Sequence, residues 1–298
     1  MADLQISHTK IANGEKLHVH SRSGKGIPLV FIHGNMSSSA IFIDLIRNMN
    51  IDNPVIAPDL RGFGQSSYET VATDIKTYAS DVKQLLESQG HKQAILIGHG
   101  AGNAVVMRLA LDEPGLVERF VMLASCSVAG HPIRKRIFFN LIKSKTPIRS
   151  LEGMKVHVAP MESYKENNQR WIIRQMLNKL FFNIDKPLDN EIERNIEAVL
   201  NQRNLPDFNL AISRFNIYSD DNGLVDGSNE TRKFKQESII IHGDKDAVMP
   251  VGIAKFNERV MAKKPTTHII NGAGYVPFVG YIRKVTNLIE TFIENAKS

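Results

Sequence analysis

The feature that most limits the fold is an alternation of short apolar and longer amphipathic stretches over the first 126 residues. The apolar stretches have the length of buried strands, and the stretches between them repeat apolar residues three or four positions apart, as helices do. Repeated strand, crossover helix and strand give a mostly parallel sheet with helices on both faces. The predicted strands are Lys16–His20, Pro28–His33, Pro54–Pro58, Gln93–Gly98 and Arg119–Ala124, and the predicted helices are Ala40–Met49, Val71–Ser88 and Gly102–Leu111.

The alternation stops after residue 126 and resumes at residue 237. The intervening patterns are helical or irregular, with predicted helices at Pro132–Lys145, Tyr164–Phe182, Asp189–Arg203 and Asp207–Tyr218. Strand and helix patterns then return in Ser238–Gly243, Val251–Lys263, Thr267–Asn271 and Val279–Ala296. We predict an α/β core domain formed by residues 1–126 and 237–298. Residues 127–236 are predicted to be a helical cap over the carboxyl edge of the sheet, where open α/β folds bind ligands.

Composition and charge exclude several classes of protein. The single cysteine, Cys126, cannot form an intramolecular disulfide, so we expect a cytoplasmic protein. The sequence shows neither a signal-peptide pattern nor an apolar run of membrane length, so no integral membrane contact is predicted. The net charge is +6, and His131–Phe182 alone carries 11 Lys or Arg against three Glu. Because the basicity is confined to one segment and accompanies no nucleic-acid-binding motif, nucleic acid is not a predicted partner.

Five glycine-containing motifs follow predicted strands: His33-Gly34-Asn35, Asp59 to Ser66, Gly98-His99-Gly100-Ala101-Gly102, Gly243-Asp244-Lys245-Asp246, and Gly272-Ala273-Gly274-Tyr275-Val276-Pro277. In order and context they resemble the α/β-hydrolase superfamily, in its capped esterase and lactonase branch. The resemblance covers essentially the whole chain. It implies the α/β-hydrolase fold, with the cap inserted before the last strands.

The resemblance also implies where a catalytic triad would lie. The family's G-x-S-x-G elbow, which carries the nucleophilic serine, corresponds to Gly98 to Gly102, and the nucleophile position is Gly100. Asp246 corresponds to the acid, and Tyr275 stands where the family has the histidine base. A serine hydrolase needs a hydroxyl activated by an imidazole, and tyrosine, with a pKa near 10, is a poor substitute for that base. We therefore predict no acyl-enzyme chemistry.

The oxyanion hole of the family is made of main-chain N–H groups, which correspond here to Asn35 and Ala101. Their contribution does not depend on side-chain identity. A pocket for a carbonyl or carboxylate oxygen is thus predicted to persist without a nucleophile.

Other candidate residues have simpler structural interpretations. The glycines at 98, 100 and 102 lack the rest of a dinucleotide fingerprint. His99 in the elbow and His33 are expected to be packing or hydrogen-bonding residues, with His99 as a minor candidate base. His18 and His20 share a strand face but lack a third ligand, and Cys126 is a minor candidate nucleophile. We predict no metal and no cofactor.

The segment from Arg134 to Lys145 interleaves basic and apolar residues. We interpret it as a basic amphipathic cap helix with a solvated outer face; an anionic membrane surface or an anionic ligand is the alternative. Trp171, Phe181, Phe182 and Phe215 are expected to form the core of the cap.

Three functional hypotheses remain open. The first is a small-molecule-binding protein or pseudoenzyme, whose ligand carries a carbonyl or carboxylate and is either neutral or anionic. The second is a lyase, isomerase or cyclase that uses the oxyanion hole with Asp246 or Tyr275. The third is an inactivated carboxylic-ester or lactone hydrolase. The sequence identifies no protein partner.

Overall fold

The computed structural model describes residues 4–137 and 142–294. The strands are β1 (Gln5–Lys10), β2 (Lys16–Arg22), β3 (Leu29–Ile32), β4 (Val55–Pro58), β5 (Ala94–His99), β6 (Val117–Leu123), β7 (Arg134–Ile137), β8 (Ile142–Pro147), β9 (Glu237–Gly243) and β10 (Thr266–Ile270). The helices are α1 (Ile43–Asn48), α2 (Ile75–Ser88), α3 (Gly102–Asp112), α4 (Leu151–Glu166), α5 (Arg170–Leu180), α6 (Asp189–Leu200), α7 (Leu205–Arg214), α8 (Gly252–Val260) and α9 (Ile282–Glu294).

Eight strands form one sheet in the order β1-β2-β4-β3-β5-β6-β9-β10. The pairs β1/β2 and β2/β4 are antiparallel, and every later pair is parallel. The four residues of β3, Leu-Val-Phe-Ile, are fully buried, as expected for a strand covered on both faces. The predicted α/β class, a mostly parallel sheet flanked by helices, is confirmed.

The segment between β6 and β9 contains a two-stranded hairpin and the helices α4 to α7. Helix α4 packs against α7, and α5 packs against α6. Side chains of this segment also contact the sheet domain: Arg194 pairs with Asp44, and Arg203 Nη1 donates to the Gly64 carbonyl at 3.1 Å. The predicted helix over Pro132–Lys145 is wrong. Its ends form β7 and β8, with Ile137 opposite Ile142, and residues 138–141 lie outside the described part of the chain.

The hairpin has a physical explanation. β-branched residues such as isoleucine favour strands, and the backbone register places Ile137 opposite Ile142. The basic segment is consequently not the amphipathic helix that the sequence suggested.

Two further elements were absent from the prediction. Helix α4 contains Pro160 and has Gly153 near its beginning. Both residue types have low helix propensity, so the sequence pattern does not indicate a helix there. The N-cap of α4 is Ser150, whose Oγ accepts a hydrogen bond from Gly153 N at 3.1 Å. Strand β1 is largely exposed, so it lacks the apolar pattern of the central strands.

The four aromatic residues predicted to form the core of the segment differ in burial. Phe181, Phe182 and Phe215 are buried as predicted, whereas Trp171 is 70% exposed, so the prediction for Trp171 is wrong. Helix α5 buries Ile173 and Leu177, one turn apart. Trp171 precedes Ile173 by two positions and therefore lies on the opposite side of the helix.

In the two described stretches, no helix combines the length and hydropathy that crossing a membrane requires.

Candidate functional site

Gly100 lies at a sharp turn between β5 and α3. Its φ is +54°, in the left-handed region, and its N–H donates to the Leu123 carbonyl at 3.0 Å. The flanking glycines are required by close packing: a Cβ at Gly98 would lie 2.4 Å from Asn103 Oδ1, and a Cβ at Gly102 would lie 2.4 Å from the His33 carbonyl oxygen. The turn thus has the backbone geometry of a strand-to-helix elbow without a side chain at its apex.

The side chain of Tyr275 occupies the space in front of that apex. A Cβ built on Gly100 would lie 1.8 Å from the Tyr275 hydroxyl oxygen and 2.8 Å from Cζ. Non-bonded carbon and oxygen atoms do not approach so closely, so a side chain at position 100 and Tyr275 in this position exclude each other. The two positions singled out by the motifs, 100 and 275, therefore meet in space.

Tyr275 is buried between two aromatic rings. Its ring centroid lies 4.6 Å from that of His99 and 4.9 Å from that of Phe181. Burial, followed by the nearby carboxylate of Asp246, raises the pKa of Tyr275 far above its ordinary value. The phenol is therefore protonated at neutral pH and can donate a hydrogen bond, but it cannot serve as a general base.

Asp246 is buried and keeps one carboxylate oxygen unpaired. Its Oδ1 accepts hydrogen bonds from the N–H groups of Val248 at 2.8 Å and Met249 at 2.7 Å. Its Oδ2 lies 3.3 Å from His242 Nε2, but that nitrogen is directed at the Met249 carbonyl oxygen at 2.7 Å. Within the residues described, Asp246 Oδ2 has no hydrogen-bond partner. A buried acceptor without a donor is uncommon.

The loop that carries Asn35 lies against the first turn of α3. A Cβ at Gly34 would lie 3.4 Å from Ala101 N and 3.3 Å from the Tyr275 hydroxyl oxygen. In the described stretches, neither Asn35 N–H nor Ala101 N–H donates to another group of the chain. The two predicted oxyanion donors are thus located on neighbouring loops beside the elbow.

Two residues of the insertion hold the Asn35 side chain, and sequence reasoning missed both. Gln202 Nε2 donates to Asn35 Oδ1 at 2.8 Å, and Asn35 Nδ2 donates to Asn209 Oδ1 at 2.7 Å. Gln202 Oε1 also accepts from Met36 N at 3.1 Å. No local motif marks these amides, because their partners are more than 160 residues away in the chain.

The rings of His33 and His99 both make hydrogen bonds to backbone groups. His33 Nε2 accepts from Leu60 N at 3.0 Å, so its proton is on Nδ1, which donates to the Gly34 carbonyl at 2.8 Å. His99 Nε2 lies 3.0 Å from the Tyr275 carbonyl oxygen, and burial lowers the pKa of His99 to about 4. Both rings are therefore neutral at physiological pH, and each is committed to backbone groups.

His18, His20 and Cys126 lie in buried surroundings with other contacts. His18 Nδ1 lies 3.2 Å from Asp59 Oδ2, and His20 Nδ1 lies 2.8 Å from Ser39 Oγ. Among residues 4–137 and 142–294, no three His, Cys, Asp or Glu side chains are arranged to hold a metal ion. Cys126 is 1% exposed, and burial raises its pKa to about 12, which opposes formation of a nucleophilic thiolate.

A cavity of about 890 Å³ opens beside Asn35 and Met36, between that loop, α4 and α7. Neither Gly100 nor Tyr275 is among the residues that line it. The cavity therefore borders the loop of Asn35 rather than the apex of the elbow.

Comparison with known proteins agrees with the fold. The family described as "alpha/beta hydrolase fold" matches residues 27–146. A soluble epoxide hydrolase of Corynebacterium sp. (strain C12) is 36% identical over 116 residues, which cover 39% of this chain and 40% of that protein. A 2-hydroxymuconate semialdehyde hydrolase of Pseudomonas sp. (strain CF600) is 23% identical over 98% of this chain and 95% of its own.

Among solved structures, a thermophilic esterase from Thermogutta terrifontis superposes with a TM-score of 0.73 at 17% identity, covering 99% of this chain and 100% of the esterase. Three observations indicate the same fold: the strand order, the elbow between β5 and α3, and the family match over residues 27–146. The chain has the α/β-hydrolase fold, and its residues 27–146 match the family of that description.

Proposed function

We propose that this protein binds a small molecule and has lost the serine-hydrolase chemistry of an ester- or lactone-hydrolase ancestor. The observation that carries the proposal is the position of the Tyr275 hydroxyl, which fills the space that a nucleophile at position 100 would need. Loss of the nucleophile and replacement of the base are then two parts of one change, because each accommodates the other.

The remaining parts of the site support ligand binding without attack. We assign the Asn35 and Ala101 N–H groups to a retained hole for a carbonyl oxygen. Backbone donors of this kind bind such an oxygen whether or not a nucleophile is present. Asp246 is then the retained triad acid, and its unpaired Oδ2 is the acceptor that a base at position 275 once used.

We further propose that residues 127–236 form a cap over this site. Its amides Gln202 and Asn209 hold the Asn35 loop, and its helices α4 and α7 wall the cavity beside that loop. The absence of a disulfide-forming pair of cysteines favours a cytoplasmic location.

The structure favours lyase or isomerase chemistry at the elbow less than ligand binding. A lyase or isomerase acting through Tyr275 needs the phenol to exchange a proton with a substrate, yet Tyr275 is 2% exposed and its pKa is strongly raised. The cavity wall does not include it.

The test is the initial rate on short p-nitrophenyl esters and lactones, measured for the unaltered chain and for the Gly100→Ser/Tyr275→His variant. We expect no enzymatic turnover by the chain and at least about 10³-fold faster hydrolysis by the variant, since a triad adds far more than the hole alone. Turnover by the unaltered chain at rates typical of esterases would refute the proposal.

A further inference from the structure

The cavity beside Asn35 follows one face of α4. Its wall on that helix consists of Gly153, Val156, His157, Val158, Pro160, Met161 and Tyr164. All but Val158 follow the spacing of a single helical face, and the distance from first to last is about 16 Å at 1.5 Å per residue. A volume of about 890 Å³ falls within the roughly 300–1,000 Å³ of small-molecule sites. The cavity is thus elongated and large enough for a chain-like ligand.

Most of this wall is apolar although it is open to solvent. Val156 is 76% exposed, and Pro160 is exposed as well. Met36 and Leu205 line the cavity too. Apolar side chains that line a concave surface, rather than being scattered over a convex one, are typical of sites that bury an apolar ligand.

The polar groups are concentrated where the cavity meets the Asn35 loop. Asn209 Oδ1 accepts from Asn35 Nδ2, and Asn35 Oδ1 accepts from Gln202 Nε2. The Oδ1 of Asn209 is therefore occupied, and its Nδ2 is the group that can bind a ligand. No acceptor for Nδ2 is found in the described stretches of the chain. That group is a hydrogen-bond donor, and its natural partner is a neutral oxygen acceptor.

The lining contains His157 but none of the residue types that are permanently charged at neutral pH. No Lys, Arg, Asp or Glu is among the described residues that border the cavity. Several basic side chains of the same segment are already paired: Arg170 and Arg174 with Glu193, and Lys165 with Glu162. A carboxylate placed along this wall would find no Lys or Arg among the bordering residues to pair with, whereas a neutral head group needs no such partner.

We propose that the cavity along α4 binds an uncharged, chain-like molecule, such as a medium-chain acyl amide or ester, whose carbonyl oxygen accepts a hydrogen bond from Asn209. Its apolar chain lies along the face from Gly153 to Tyr164. The assignment rests on the proposed loss of hydrolysis, because a working elbow would cleave an ester bound beside it. It selects the neutral class of ligand over the anionic class.

Isothermal titration calorimetry with decanamide and with decanoate tests the proposal, since the two probes differ in head-group charge and share one chain. We expect decanamide to bind at least about tenfold more tightly than decanoate. Asn209→Leu should weaken decanamide binding by about tenfold, the effect of one hydrogen bond. Equal or tighter binding of decanoate, or no binding of decanamide, overturns the proposal.

A pair of variants on α4 separates binding in the cavity from binding elsewhere. Val156→Arg adds a positive charge to the cavity wall and should reduce the preference for decanamide over decanoate. Ala159→Arg adds the same charge at an exposed position of the same helix that does not line the cavity, so the preference should be unchanged. Equal effects of the two variants place the probe elsewhere and contradict the assignment.

Incubation of the unaltered chain with methyl decanoate keeps the two proposals apart. Release of decanoate at enzymatic rates refutes the loss of hydrolysis. Absence of both hydrolysis and decanamide binding refutes only the ligand class and leaves the account of the elbow in place.

Discussion

Gly100→Ser tests the contact between the elbow and Tyr275. The new Cβ would lie 1.8 Å from the hydroxyl oxygen, so the buried ring must move away. Overpacking of this kind costs about 1–3 kcal/mol. The backbone adds about 1–2 kcal/mol because φ is positive at Gly100. We expect the variant to lower the free energy of unfolding by about 2–5 kcal/mol.

The chain contains a matched control for the backbone part of this cost. Gly90 also has a positive φ, +77°, but a Cβ there would meet nothing within 4 Å. Gly90→Ser should therefore cost only about 1–2 kcal/mol. In a Tyr275→His background, Gly100→Ser should cost a similarly small amount, because the hydroxyl contact has been removed.

The assay is urea unfolding at neutral pH, followed by far-UV circular dichroism, for the starting chain, both single variants and the double variant. The predicted coupling energy between positions 100 and 275 is about 1–3 kcal/mol, with the double variant more stable than the sum of the single changes implies. If Gly100→Ser costs the same in both backgrounds to within about 0.5 kcal/mol, the reasoning from steric exclusion is wrong.

Two further predictions concern buried titratable groups. The pKa of His99 is lowered to about 4 from its ordinary 6.5, so between these pH values the unfolded chain binds a proton that the folded chain does not. The free energy of unfolding should fall as pH decreases through this range, and His99→Gln should reduce the slope; identical slopes in urea titrations would contradict this. Cys126 should react with Ellman's reagent only as the chain unfolds, since it is buried and its pKa is raised to about 12. Rapid stoichiometric reaction of the folded protein would show that the thiol is accessible.

The sheet could be predicted from sequence because its central strands are continuous apolar runs separated by amphipathic helices. The residues of β3 and β5, for example, are buried throughout, so their composition reflects their position directly. The insertion was harder. Its hairpin depends on pairing between two segments, β7 and β8, that the local pattern does not reveal, and α4 contains Pro160 and Gly153, whose low helix propensity conceals it.

The candidate site divides in the same way. Gly100, Tyr275 and Asp246 could be identified because each occupies a fixed place in a short motif next to a strand. Their mutual geometry could not be predicted from sequence. The approach of the Tyr275 hydroxyl to Gly100 depends on the packing of two loops that are distant in sequence. Gln202 and Asn209 belong to the insertion, where no motif fixes a residue's partner.

The central claim is that Gly100 and Tyr275 together replace the nucleophile and the base of a serine hydrolase. The elbow therefore has no nucleophile. The most direct test compares ester hydrolysis by the unaltered chain, by the Gly100→Ser/Tyr275→His variant, and by the same variant carrying Asp246→Asn. We predict no turnover in the first, turnover in the second, and a loss of up to about 10⁴-fold in the third, because Asp246 would orient the restored imidazole. Hydrolysis by the unaltered chain, or a double variant that is folded but inactive, would contradict the claim.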